Sequence, residues 1–303
     1  KALVVGASAT GEIPKHGLDG TWVADPTYNI TSTTSGTITT TKVTARQMNI
    51  YGGMRMGGSS YYGLNVLTPT SPKLLFRIDS LTTGFSRLGQ TWSKPVLANV
   101  RYNGVITRVM IVGGGYDQCY ENPNFSLGAS VSTTEYPDTS CNNKAQAQGN
   151  AVYMINAKTG ALIWSATYDN AASDTDGTKH MKHSIVSRVS TLDRDADGLV
   201  DHLYFGDLGG QVFRADLNNK QTKIDSTYSN FGIRVVRLAN LATGTDTSIT
   251  PAISYSDSNA PRFYEPPTVT IHDQGASTFI VLGMASGDRS TPLDVAPDIG
   301  RDG

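Results

Sequence analysis

Apolar residues in this chain recur at every second position within short runs, and no stretch has the 3.6-residue period of a long amphipathic helix. Such runs, bounded by glycine, asparagine, aspartate and proline, are typical of β-strands. The clearest runs are residues 109–113, 151–156, 203–206, 211–215 and 279–283. The 31 glycines, 14 tyrosines and frequent threonines agree with this pattern. The sequence therefore predicts an all-β chain.

A strand, a polar turn and a second strand recur as a unit at residues 62–77, 152–164 and 203–217. Hairpins of this kind build the blades of a β-propeller. The units begin about 90 and then about 50 residues apart, which favours a modified propeller with long inserted loops over a regular array. We expect residues 1–303 to form a single β-propeller domain.

Two segments stand out by composition as inserts. Residues 28–46 are rich in threonine and are expected to form an exposed hairpin, and residues 117–148 hold both cysteines and look like a surface excursion. Long loops on a rigid scaffold either carry recognition or vary without function, and both interpretations stay open. Because residues 1–6 already read as a strand and residues 298–303 as a loop, we expect a fragment of a longer protein.

The nine residues 193–201 read Asp-Arg-Asp-Ala-Asp-Gly-Leu-Val-Asp. Acidic side chains at loop positions 1, 3, 5 and 9, with glycine at position 6, match the first part of an EF-hand calcium loop. The predicted Ca²⁺ ligands are the side chains of Asp193, Asp195, Asp197 and Asp201 and the backbone carbonyl of Leu199.

The loop departs from an EF-hand at position 12, where Tyr204 replaces the bidentate glutamate, and residues 202–206 look like a strand rather than a helix. The alternative is a solvated acidic turn, since aspartate and glycine are ordinary turn residues. Carboxylates this close repel one another unless a cation neutralises them, which favours a compact calcium loop attached to a β-hairpin.

Cys119 and Cys141 are the two cysteines, and they bracket a polar loop in which a free thiol would be exposed. A disulfide between them would close a loop of about twenty residues, worth about 3 kcal/mol in the chain-entropy model, and would indicate an oxidising compartment. Two unrelated thiols are the alternative.

Charge and hydropathy exclude two classes of partner. The 25 basic and 26 acidic residues nearly balance and form no basic stripe, so nucleic acid is not an expected partner. No apolar run approaches 18 residues, so no membrane span is expected in this chain.

Three further patterns favour structural interpretations. Residues 174–177 begin like a second calcium loop but lack its later acidic positions, which favours a plain turn. His180 and His183 have a spacing that suits a metal on a helix, but the flanking sequence predicts no helix. Asp288 and Arg289 are expected to form a salt bridge within a turn.

Several stretches, in order, resemble the C-terminal β-propeller domain of the PilY-type proteins of bacterial type IV pili. They are residues 16–21, 52–66, 88–96, 112–116, the acidic loop with 207–216, and 285–293. The resemblance covers nearly the whole chain. The inserts 28–46 and 117–148 depart from the family pattern, which leaves partner specificity open.

The resemblance implies a modified, about seven-bladed propeller on a non-enzymatic pilus-biogenesis factor and pilus-tip adhesin with a role in twitching motility. Implied partners are pilins or minor pilins and host-cell surface receptors. The implied location is the pilus tip, the outer membrane or the periplasm of a Gram-negative bacterium. In this family the acidic loop, here residues 193–201, binds one Ca²⁺ whose occupancy regulates pilus extension and retraction.

Two other functions remain as alternatives. One is an adhesive or lectin-like propeller whose calcium is purely structural. The other is a quinoprotein oxidoreductase, because residues 155–164 resemble the repeat signature of propellers that bind pyrroloquinoline quinone. That signature occurs once, which indicates shared architecture rather than a shared cofactor.

Overall fold

Each of the five predicted apolar runs lies in a β-strand of the computed structural model. The structure describes residues 17–122, 125–130, 139–170, 177–219, 232–246, 253–255, 260–275, 277–287 and 289. The predicted strand at 1–6, the turn at 174–176 and residues 298–303 lie outside this part. The strands are β1 (Trp22–Ser35), β2 (Ile38–Gly53), β3 (Tyr61–Asn65), β4 (Lys73–Ile78), β5 (Val96–Tyr102), β6 (Val105–Gly113), β7 (Ala151–Asn156), β8 (Leu162–Thr167), β9 (Ser190–Leu192), β10 (His202–Gly206), β11 (Gln211–Leu217), β12 (Gly232–Asn240), β13 (Gly244–Asp246), β14 (Ile253–Tyr255), β15 (Thr268–Asp273) and β16 (Thr278–Gly283).

Helical structure within the described ranges is limited to short 3-10 turns. They are Arg55–Gly57, Gln118–Glu121, Thr139–Cys141, Tyr168–Asn170 and Gly177–His180. The prediction of an all-β chain is confirmed.

Consecutive strands pair with one another, so the chain forms meandering antiparallel sheets. Three four-stranded sheets occur in the described part: sheet I (β1–β4), sheet II (β5–β8) and sheet III (β9–β12). β13–β14 and β15–β16 are two-stranded hairpins. Turn chemistry explains the pairing: Asn103 and Gly104 connect β5 to β6 with φ of 56° and 73°, as a two-residue hairpin turn requires.

The β7 strand of sheet II is buried on both faces, which explains its uninterrupted apolar run. Val152 and Met154 pack in a core cluster with Phe205 and Phe213 of sheet III. Tyr153, on the opposite face of β7, packs in a second cluster with residues of sheet I. Because side chains alternate across a strand, a sheet between two others needs apolar residues at every position.

The two inserts have different environments. The Thr-rich residues 28–46 lie in the long β1–β2 hairpin, where Ile30 and Ile38 are 69% and 70% exposed. The described part of insert 117–148 is less exposed than expected for a surface excursion. A third core cluster includes Tyr120, Phe125 and both cysteines, which the disulfide joins.

Candidate metal centre

The acidic loop joins β9 to β10 within sheet III. Its chain reverses through Ala196 and Gly198, which adopt left-handed φ values of 58° and 86°. The Asp201 N–H donates to the carbonyl of Leu192 over 2.9 Å, which closes the loop at its base. As predicted, a strand follows the loop directly.

Three of the predicted carboxylates come together. Oxygens of Asp193, Asp195 and Asp197 all lie within 4.8 Å of one another. The Gly198 N–H donates to Oδ2 of Asp193, and the Leu199 N–H donates to Oδ1 of Asp197, each over 2.8 Å. These bonds hold one oxygen of each of the two carboxylates in place within the loop.

Asp193 has one oxygen that the protein does not use. Its Oδ1 is buried and accepts no hydrogen bond from any described residue. A buried carboxylate oxygen without a partner is unfavourable unless a cation or water satisfies it. Hard divalent cations such as Ca²⁺ prefer carboxylate and carbonyl oxygens, so this donor set fits calcium.

The structure places Asp201 differently from the other three. Its Oδ2 accepts the Arg194 N–H over 2.9 Å, and its Oδ1 lies 3.4 Å from Nδ2 of Asn219. Asp201 therefore lies outside the group of three, and its role as a ligand stays a prediction. In EF-hand loops the ninth position often binds calcium through a water molecule, which is compatible with this arrangement.

Leu199 shows how the loop is anchored. Its side chain is 3% exposed, which holds this backbone position against the protein core. The next residue, Val200, donates its N–H to the carbonyl of Asn99 in β5 over 3.0 Å. The loop is therefore attached to sheet II as well as to sheet III.

Asn219 is a residue of the site that sequence reasoning missed. Its Nδ2 donates to the carbonyl of Val200 over 2.6 Å, and its Oδ1 accepts the N–H of Arg101 over 3.0 Å. One buried side chain thus connects the acidic loop with β5 of sheet II. No local pattern identifies it, because the contact depends on how the two sheets pack.

The predicted disulfide between Cys119 and Cys141 is confirmed. Lys144 Nζ contacts Oδ2 of the buried Asp117 over 2.6 Å nearby, so this charge is paired. Tyr120, next to Cys119, contacts His183 and connects the disulfide region with the segment that precedes β9.

The structure favours structural roles for the histidines. The Tyr120 hydroxyl lies 2.8 Å from Nδ1 of His183, and burial, with the charges of Arg262 and Lys182, lowers the pKa of His183 to about 4. Within the described ranges, the aspartates 193, 195 and 197 form the one group of three side chains with a geometry that could hold a metal ion, and neither histidine belongs to it.

Arg289 forms an ion pair with a residue distant in the sequence. Its guanidinium contacts the carboxylate of Glu265, 24 residues earlier. Asp288 lies outside the described residues, so the salt bridge between Asp288 and Arg289 stays a prediction. The contact with Glu265 depends on β15 and β16 returning the chain to the same place, which local sequence does not reveal.

Comparison with known proteins matches this chain to type IV pilus biogenesis factors. No protein-family model matches the chain. It is 26% identical over 246 residues, 77% of its length, to the "Type IV pilus biogenesis factor PilY1" of Pseudomonas aeruginosa (strain UCBPP-PA14), and this match covers 17% of that protein. It is 26% identical over 175 residues to a "Type IV pilus biogenesis factor PilY1 homolog" of Xylella fastidiosa (strain Temecula1), covering 56% of this chain and 10% of that protein.

A solved structure is also similar. The "Crystal structure of Pseudomonas aeruginosa PilY1 C-terminal domain" aligns with a TM-score of 0.47 at 17% identity, covering 86% of this chain and 44% of that one. The sequence matches confirm the resemblance to PilY-type proteins. The chain spans less than a fifth of the length of these curated relatives. No helix among the described residues is long and apolar enough to cross a membrane.

Proposed function

We propose that this chain, similar over 77% of its length to a PilY1 type IV pilus biogenesis factor, is the calcium-binding, non-enzymatic module of such a factor. The observation that carries the proposal is the convergence of Asp193, Asp195 and Asp197 on one loop. Its four-stranded sheets are blades of a modified β-propeller of about seven blades, and sheets I to III account for three of them.

In this proposal, calcium acts by ordering the acidic loop. A Ca²⁺ ion bound by the three aspartates, the Leu199 carbonyl and Asp201 neutralises the loop and satisfies Oδ1 of Asp193. Because the loop is attached to sheets II and III, an ordered loop stabilises the contact between them. A ligand that binds only the folded form stabilises it by RT ln(1 + [L]/Kd), so calcium occupancy regulates the surface at this end of the sheets.

The proposed biological role is supported by the relatives' description as type IV pilus biogenesis factors, and its finer points extend the family resemblance of the sequence. The module assists assembly of a type IV pilus through pilins or minor pilins, and calcium occupancy regulates pilus extension and retraction. It functions at the pilus tip, the outer membrane or the periplasm, and it contributes to adhesion to host-cell surface receptors. The Cys119–Cys141 disulfide supports an oxidising location outside the cytoplasm.

The test uses calcium titration calorimetry on the purified chain, followed by piliation and retraction assays of cells carrying the same variants. Asp195→Ala and Asp201→Ala are each expected to weaken or abolish calcium binding. Asp169→Ala, which removes a half-exposed carboxylate outside the loop, is the control and leaves binding unchanged. Unchanged binding in Asp195→Ala contradicts the metal site; lost binding with normal piliation and retraction contradicts the regulatory role alone.

Two alternatives are resolved by separate measurements. Binding of glycans or host cells that persists without calcium would support an adhesive propeller with structural calcium. Absorbance or activity gained on adding pyrroloquinoline quinone would support a quinoprotein oxidoreductase, and we expect none.

A further inference from the structure

A cavity of about 450 Å³ lies apart from the acidic loop and is lined by charged side chains of both signs. Four lining residues are cations, namely Arg55, Lys94, Arg188 and Arg289. Two lining residues, Asp19 and Glu265, are carboxylates, so cations outnumber anions by two. No feature of the calcium site accounts for this excess.

Two of the cations hold equivalent positions in successive sheets. Lys94 lies two residues before Val96, which begins β5, and Arg188 lies two residues before Ser190, which begins β9. The Ser93 hydroxyl donates to the carbonyl of Ser187 over 2.8 Å, so the two segments preceding these strands are directly attached. The packing of sheets II and III therefore brings the two cations to the same cavity.

The other two cations are held by carboxylates and aromatic rings. The Arg55 guanidinium lies 4.6 Å from the ring centroid of Trp92 and 3.3 Å from the carboxylate of Asp19. The Arg289 guanidinium contacts Glu265 and lies 5.7 Å from the ring centroid of Tyr264. These contacts orient both guanidinium groups at the cavity wall.

Lys94 and Arg188 have no such partner. Within the described part of the chain, neither side chain forms a hydrogen bond or an ion pair with a protein group, although both are exposed and line the cavity. Like charges that face a shared space repel one another, and an anion bound between them would remove that repulsion. Arginine forks and lysine ammonium groups are the usual ligands of carboxylates.

The cavity continues as a cleft. A second cavity, of about 320 Å³, shares Arg188 and Pro266 with the first and is lined by residues of β5, β9 and β15. The other residues that line this second cavity, among them Val96 and Val269, are uncharged. A cleft that is cationic in one part and neutral in the next fits an extended chain better than a single small anion.

The aromatic residues argue against a sugar. Sugars bind aromatic rings by laying their apolar face on an open ring face. The Trp92 ring already has the Arg55 guanidinium at 4.6 Å and the stacked Tyr116 ring at 4.4 Å as neighbours. The rings of this cavity hold cations rather than offer a stacking surface.

We propose that this cleft binds an acidic peptide segment of a partner protein, with Lys94 and Arg188 as its direct carboxylate contacts. Arg55 and Arg289 contribute further positive charge from the cavity wall. Binding weakens with added salt, because the contacts are exposed charges. Calcium is not a direct ligand of the peptide, because no predicted calcium ligand lines the cleft.

The test is fluorescence anisotropy of the whole chain with a labelled peptide, acetyl-Gly-Glu-Glu-Asp-Gly-amide, against its Gln and Asn counterpart. The double variant Lys94→Gln/Arg188→Gln is expected to bind the acidic peptide at least tenfold more weakly. The control is Lys42→Gln/Lys158→Gln, which makes the same change of net charge at exposed lysines outside the cleft and leaves affinity unchanged. Glu265→Gln removes a competitor for Arg289 and raises affinity several-fold, a gain that misfolding cannot produce.

Three results would overturn the proposal. The first is equal binding of the acidic and neutral peptides, and the second is the same loss of affinity in Lys94→Gln/Arg188→Gln as in the control Lys42→Gln/Lys158→Gln. The third is no binding of the acidic peptide at millimolar concentration. Displacement of the peptide by N-acetylneuraminic acid at lower concentration than by the unlabelled peptide would make the cleft an acidic-sugar site instead. Retention of peptide affinity in Asp195→Ala and in a chelator is expected, and it separates this site from the calcium loop.

Discussion

The backbone N–H of Gly198 lies 2.8 Å from Oδ2 of Asp193, and this bond closes the acidic loop across its centre. Gly198 continues the loop with a left-handed φ of 86°. Asp193 Oδ1 stays buried without a partner in the described part of the chain. One oxygen thus shapes the loop, and the other is left for a cation.

Replacing Gly198 is expected to weaken the calcium site without a steric clash. A Cβ there would meet no atom within 4 Å, so Gly198→Ala costs only the left-handed conformation, about 1–2 kcal/mol. This conformational cost should lower the calcium affinity of the variant, which calorimetry measures. Gly36→Ala, also left-handed with open space, lies at the β1–β2 turn and should leave calcium affinity unchanged.

Removing calcium is expected to lower the thermal stability of the chain. At free calcium 100-fold above Kd, a ligand that binds only the folded form contributes about 2.7 kcal/mol. Differential scanning calorimetry should therefore show a lower Tm in a chelator than in calcium. In Asp193→Asn this difference should shrink or vanish; a full calcium-dependent shift in that variant would place the ion elsewhere.

Acid is expected to destabilise the chain through His183. Burial lowers the pKa of His183 from 6.5 to about 4, with the charges of Arg262 and Lys182 contributing, so the unfolded chain takes up the proton first. The stability from the neutral imidazole is complete above about pH 6.5 and is lost as pH falls towards 4, by on the order of 2–3 kcal/mol.

Urea unfolding between pH 7.5 and 4.5 measures this effect as a difference between wild type and His183→Asn. The amide oxygen of asparagine can occupy the position of Nδ1 and accept the Tyr120 hydroxyl, which now lies 2.8 Å from Nδ1. Because asparagine does not titrate, the difference in stability between wild type and His183→Asn should narrow towards low pH. A gap that stays constant with pH would mean that His183 does not titrate in this range.

A methyl group at Gly209 is expected to disrupt the contact with His183. A Cβ there would lie 2.2 Å from Cδ2 and 2.4 Å from Cγ of the imidazole, which the Tyr120 contact holds in place. Overpacking of this kind typically costs about 1–3 kcal/mol. Urea unfolding of Gly209→Ala should show this loss, whereas Gly287→Ala, with no atom within 4 Å of the new Cβ, should unfold like wild type.

Loss of the disulfide is expected to destabilise the cluster around Tyr120. The bond joins cysteines 22 residues apart, and closing a loop of that length contributes about 3 kcal/mol in the chain-entropy model. Cys119→Ala/Cys141→Ala should lose about that much in urea unfolding. A reducing agent should bring wild type towards the variant and leave the variant itself unchanged.

The residues of the acidic loop could be predicted because their geometry is local. Alternating aspartates with a glycine at position 6 can place three carboxylates together within one turn, whatever lies beyond it. Asp201 shows where this reasoning ends, since its carboxylate contacts Asn219 in a segment that follows β11. Asn219 has no distinctive local pattern, so its role becomes visible only when sheets II and III are packed.

Sequence alone indicated the strands that contain the five apolar runs and the three carboxylates of the acidic loop, because side-chain alternation and turn geometry act over short stretches of chain. Tertiary structure alone decided which strand is buried on both faces and which distant charges meet. Lys94 and Arg188 reach one cavity because the packing of two sheets brings together the segments before β5 and β9. Arg289 pairs with Glu265 for the same reason: the contact depends on the paths of strands, which no local pattern encodes.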